Sequence, residues 1–83
     1  MKIVLKCFAS LAQHLPSHAQ RNAADVEITD GMSVNEIIDH FRIDREDAYL
    51  VILNGVFICC EERDKTILKE GDTLALWPEV AGG

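Results

Sequence analysis

The sequence lacks most of what a catalyst or a metal centre needs. No C-x-x-C spacing occurs: Cys7 stands alone, and Cys59 and Cys60 are adjacent. No zinc or iron–sulfur site is therefore expected. No Ser-His-Asp grouping, phosphate-cradling glycine loop or Walker lysine can be assembled, so turnover by this chain alone is not expected. Positive charge is also short. Eight Lys and Arg face fourteen Asp and Glu, a net charge of -6. Phosphate binding needs a cationic surface, which argues against a nucleic-acid partner. No apolar run is long enough to span a membrane and no signal-peptide pattern opens the chain, so a reducing cytoplasm is the expected location. Repeats, low-complexity segments and internal linkers are missing as well.

What is present fits one domain. The 83 residues are too few for two, and 48% apolar content allows a real but thin core. Such a core leaves little room for a buried catalytic pocket and favours a binding or carrier module. The charge is uneven. Residues 1–24 hold Lys2, Lys6 and Arg21 and no acid; residues 25–83 hold fourteen acids against five bases. An acidic surface of that kind steers a domain onto a basic partner, although simple solubility explains it equally well.

Periodicity predicts the elements. Residues 2–8 alternate, with Ile3, Leu5 and Cys7 on one strand face and Lys2, Val4 and Lys6 on the other. Residues 10–15 form a short helix stopped by Pro16. Residues 25–29 alternate again, with Val26 and Ile28 inward. After Asp30-Gly31, Ser33 and Glu36 have capping-box spacing, and Val34, Ile37, Ile38 and Phe41 form one apolar helical stripe. Residues 49–53 are a near-continuous apolar run, read as a central strand. Asn54-Gly55 marks a tight turn into a returning strand, Val56–Cys60. Residues 61–72 are charged and turn-rich, and Thr73–Trp77 form a last strand ended by Pro78. The economical solution is α+β: a mixed sheet of about five strands on one main helix, the element order of the β-grasp.

The chain then reads Glu79-Val80-Ala81-Gly82-Gly83. At glycine usage of about 7%, a terminal Gly-Gly arises by chance in roughly one chain in 200. The dipeptide gains weight from its setting. The stretch Leu68 to Gly83, with Trp77-Pro78-Glu79-Val80-Ala81-Gly82-Gly83 at its end, resembles the C-terminal signature of the small subunit of molybdopterin synthase, a ubiquitin-like sulfur carrier of β-grasp fold. Asn54-Gly55 after an apolar strand, and Phe8-Ala9 leading into a short helix, are similar to that family too. Two departures are Glu79, where the family commonly has a second proline, and the unpatterned segment Pro16 to Ala24.

The resemblance implies a domain at residues 1–78 and a flexible tail at 79–83. It implies that Gly83 is the reactive residue. An E1-like adenylating enzyme would activate its carboxylate with ATP, a sulfur donor protein would displace AMP, and the resulting thiocarboxylate would deliver sulfur inside a larger synthase subunit to make molybdopterin or its tungsten counterpart. No cofactor would be bound by the chain itself. A carriage role in thiamine synthesis or tRNA thiolation, and a protein modifier joined through Gly83 to target lysines, share the same first step. A plain interaction domain with an inert tail is a further alternative.

Physical chemistry supports a glycine ending. A carboxylate is a poor acyl electrophile until adenylated. Without Cβ, Gly82 and Gly83 enter a narrow channel and adopt dihedrals closed to other residues. The five residues after Pro78 reach about 17 Å at ~3.3 Å each. Val80 and Ala81 would contact the channel, and an outward-facing Trp77 or Phe57 would help dock the body, although core packing and ordinary exposed apolar residues are the plainer explanations. Cys59 and Cys60, read on a strand, point to opposite faces and cannot cooperate. Cys7 is expected in the core. His14, His18 and His40, and the acids at 44, 46, 47, 61, 62 and 64, are expected at solvated surface.

Overall fold

Alternation in the first strand sets the architecture. The computed structural model describes residues 1–79. In β1 (Lys2–Cys7), Ile3, Leu5 and Cys7 are almost fully buried, while Lys2, Val4 and Lys6 face the other way. β1 is the second of five strands. The order is β2 (Ala23–Glu27), β1, β5 (Thr73–Trp77), β3 (Leu50–Leu53), β4 (Val56–Phe57). β1 and β5 run parallel and every other pair is antiparallel. This is the mixed sheet of a ubiquitin-like β-grasp.

One face of the sheet is covered by α1 (Val34–His40). Seven residues are too few for an isolated helix, so packing and caps hold it. Val34, Ile37 and Ile38 are fully buried in one cluster with Ile3, Leu5, Val26, Val51, Leu74 and Leu76. Each such side chain contributes about 1.5–3 kcal/mol on burial. The capping box is complete: Ser33 Oγ accepts from the Glu36 N–H at 3.2 Å, and Glu36 Oε1 accepts from the Ser33 N–H at 2.9 Å. The Val34 N–H donates to the Thr66 carbonyl and the Leu68 N–H to the Met32 carbonyl, fixing the helix entry against residues 66–68.

Three elements depart from expectation. The short helix after β1 is a 3₁₀ segment, Ala9–His14. β2 starts two residues before residue 25, because Arg21 and Asn22, both at positive φ, make a tight turn whose ends, Gln20 and Ala23, exchange backbone hydrogen bonds. β4 stops at Phe57 rather than Cys60. The Ile58 N–H makes one more bond, to the Val51 carbonyl; the chain then turns, and Cys60–Glu62 form a single 3₁₀ turn.

That turn delivers an unforeseen buried charge. Arg63 is 6% exposed, and its guanidinium donates to the Ala48 carbonyl at 2.7 Å and the Tyr49 carbonyl at 2.9 Å. It fixes the chain where β3 begins. At the opposite end, Asn54 Oδ1 accepts from the Thr73 N–H and Asn54 Nδ2 donates to Asp72 Oδ1. The β3–β4 turn is thereby tied to the start of β5, the strand from which the C-terminal segment departs.

Candidate functional site

The open face of the sheet gathers the residues that lead to the chain end. Leu74 and Leu76 of β5 point into the core, so Thr73, Ala75 and Trp77 point out. Cross-strand register sets their neighbours. Trp77 pairs with Leu50; Ala75 pairs with Ile52 on one side and Lys6 on the other; Ile52 pairs with Phe57. One row across the face therefore reads Phe57, Ile52, Ala75, Lys6, Ala23. Beside it, Leu50 and Trp77 continue the apolar surface to the end of β5.

Phe8 completes that end. Its ring lies parallel on Trp77, with centroids 4.4 Å apart and planes 4° apart. Its N–H donates to the Leu76 carbonyl at 3.1 Å. The chain from β1 into the 3₁₀ segment is thus fastened to the last residues of β5, next to Pro78. An aromatic pair of this kind contributes about 0.5–1.5 kcal/mol beyond its buried area. Sequence reasoning named Phe8 for its resemblance alone; the stack depends on β1 and β5 being parallel neighbours, which no local pattern reveals.

Of the residues expected to dock a partner, Phe57 is 57% exposed and Trp77 is half-buried, and both lie on this face. Tyr49 and Val56 are exposed as well. Leu76 is fully buried and Ile58 packs against the core, so Leu76-Trp77 and Phe57-Ile58 each divide between core and surface. Pro78 is half-buried. Val80, Ala81, Gly82 and Gly83 lie outside the described residues.

The other sequence candidates separate. Cys7 is fully buried, and burial pushes its thiol up to about 11, so it stays protonated and inert at neutral pH. Cys59 and Cys60 are not on a strand, so the opposite-face reason for their independence fails: Cys59 is the extended residue before the 3₁₀ turn and Cys60 opens it. Cys60 is exposed and Cys59 half-buried. His18 is not merely solvated; its Nε2 donates to the Asp25 carbonyl at 2.9 Å and covers part of the β2 edge. The acids at 44, 46, 47, 61, 62 and 64 are exposed, with Asp64 accepting from Asn35 Nδ2. Among the described residues no three His, Cys, Asp or Glu side chains group to hold a metal ion, and no helix is long and apolar enough to cross a membrane. A shallow open concavity lined by Val4, His18, Gln20 and Asp25 sits on the β2 side, away from Pro78.

A sequence profile of the ThiS family matches residues 7–83, reaching the terminal Gly-Gly. The chain belongs to the ThiS family. No curated protein matches the sequence. Among solved structures, the thiamine biosynthesis protein ThiS from Geobacter metallireducens superposes with a TM-score of 0.66 at 19% identity, over the whole of both chains. SAMP1 from Haloferax volcanii gives 0.66 at 24% identity, again over both whole chains. A chain in the complex of subunits 1 and 2 of molybdopterin-converting factor from Helicobacter pylori gives 0.58 at 19%, also over both whole chains. Identities this low establish shared fold alone, the ubiquitin-like β-grasp.

Proposed function

We propose that the protein is a sulfur carrier of the molybdopterin synthase small-subunit type, with the Gly83 carboxylate as its working group. The observation that supports a carrier role is the family match over residues 7–83, which includes Gly82-Gly83; the choice of the molybdopterin pathway rests on the resemblance of the Leu68–Gly83 ending. The geometry adds a body suited to the task. An apolar face lies beside Pro78, so a partner that covers Phe57, Ile52 and Trp77 also lies close to the point where the C-terminal segment leaves β5.

In this reading the adenylating enzyme uses ATP to convert the Gly83 carboxylate to an acyl adenylate. A sulfur donor protein supplies the nucleophile that releases AMP and leaves a thiocarboxylate. A larger synthase subunit then accepts the tail, as the two-subunit assembly of the Helicobacter neighbour suggests. Val80, Ala81 and Gly82 line the entry, and Trp77 and Phe57 dock the body. The chain itself holds no cofactor, works in the cytoplasm, and contributes a group rather than a pocket.

Complementation tests the pathway. A bacterial strain lacking the small subunit of molybdopterin synthase should regain molybdoenzyme activity when it carries this chain, and lose it again when Gly82 and Gly83 are deleted. The likeness to a thiamine biosynthesis protein favours a second reading, sulfur delivery for thiamine. Growth of a strain lacking its thiamine sulfur carrier, without rescue of molybdoenzymes, would replace the first reading by the second.

A further inference from the structure

Lys6 occupies an unexpected place. It stands in the middle of the open face, between Ala75 of β5 and Ala23 of β2, and neither neighbour has a polar side-chain atom. Its side chain is half-buried and takes part in no hydrogen bond or ion pair with any described residue. Lys2, on the same face, sits directly opposite Glu27, also without an ion pair to it. The remaining acid of that face, Asp25, is opposite Val4, one diagonal step from Lys6, and makes no ion pair. Among the described residues Lys6 is therefore a cation without an ion pair, set between apolar neighbours, on a chain whose net charge is -6.

Adjacent strands lie about 4.8 Å apart and Ala75, between Ile52 and Lys6, is only 7% exposed, so a partner seated on Phe57 and Ile52 that extends across β5 meets Lys6. Covering an ammonium without an opposite charge carries a desolvation penalty. Covering it with a carboxylate turns the same group into a test of partner identity, because a surface without that acid is rejected.

We infer that Lys6 is a specificity-determining residue of the docking face, and that the partner protein presents an Asp or Glu set within an apolar patch, opposite Lys6. This rests on the docking role proposed above.

Zero-length carbodiimide cross-linking of the full chain in an extract of the encoding organism tests this, with mass mapping of the linked peptides. The expected product joins Lys6 to an Asp or Glu of one protein and requires carbodiimide. With that protein purified, Lys6→Met should weaken binding about tenfold or more, the loss of roughly one buried charge pair. Lys6→Arg should retain most of the affinity, and Lys6→Glu should bind only after the partner's acid is changed to Lys. Adducts through Lys2, Lys65 or Lys69 alone, no adduct at all, or unchanged or tighter binding by Lys6→Met would each overturn the inference. The C-terminal mass is read in the same samples. Gain of sulfur at Gly83 with no dependence on Lys6 removes the inference and leaves the carrier; a Lys6 adduct without sulfur gain does the reverse.

Discussion

Replacing Arg63 with Met tests how the open face is held. The methionine keeps an apolar stem and removes both donors to the Ala48 and Tyr49 carbonyls. Two hydrogen bonds from a charged donor are together worth roughly 3–6 kcal/mol. Part of that is returned, because the buried guanidinium has no carboxylate among the described residues and its Nε lacks a hydrogen-bond partner. Relief of that desolvation offsets about 1–2 kcal/mol, leaving a net loss of about 2–4 kcal/mol. With an unfolding entropy of ~2.1 cal/mol/K per residue, the 83-residue chain should melt about 12–23 °C lower. Scanning calorimetry of the two proteins measures this directly. Arg63→Lys should not recover the loss, because one ammonium cannot reproduce the fork that spans two successive carbonyls. A drop under about 4 °C, or full recovery by lysine, would refute the assignment of Arg63 as the clamp at the start of β3.

Phe57→Asp should leave the melting temperature within about 3 °C of the parent, since the ring is already 57% exposed, yet abolish measurable affinity for the larger synthase subunit. Deletion of Gly82 and Gly83 should stop sulfur transfer while shifting the melting temperature by no more than about 1 °C, because the described core spans Ile3 to Leu76. In a thiol titration of the native protein, Cys60 should react first, Cys59 more slowly, and Cys7 only on unfolding. Cys7 also imposes an alkaline limit. Its folded value stands near 11 against an ordinary 9.0, so its contribution is intact below about pH 9 and is lost as pH rises toward 11, visible as falling urea midpoints across that window. The Asp39–Arg45 pair acts at the other end: hydrogen bonding to Arg45 holds the Asp39 carboxyl below its ordinary 3.8, so the support is present above that value and lost as pH falls beneath it.

Strong local patterns carried much of this fold into the sequence. The alternation of Ile3, Leu5 and Cys7, the Ser33–Glu36 box with its apolar stripe, the apolar run into Leu53 and the Asn54-Gly55 turn each matched the element they predict. The failures have two causes, an uncommon local turn and contacts between distant segments. The start of β2 follows from a tight turn that uses Arg21 at positive φ, an unusual choice for a side chain of that size. β4 ends early because Ile58 turns inward and Arg63 pulls the next loop beneath Tyr49. Nothing in Glu61-Glu62-Arg63-Asp64 distinguishes the buried arginine from its exposed neighbours. The docking residues were half legible. Alternation nominated Trp77 and Phe57, but Leu50, Ile52 and Phe8 joined them only once the strand order and register were known.

The proposed carrier role stands most directly on the chemical state of the last residue. Intact mass of the protein isolated from the encoding organism, under conditions that preserve thioacids, should show a fraction about 16 Da heavier, oxygen replaced by sulfur, with the gain confined to the C-terminal peptide ending in Gly83. Unmodified carboxylate alone, even after incubation with extract, ATP and a sulfur source, would contradict the carrier role and leave the open face serving some other partner.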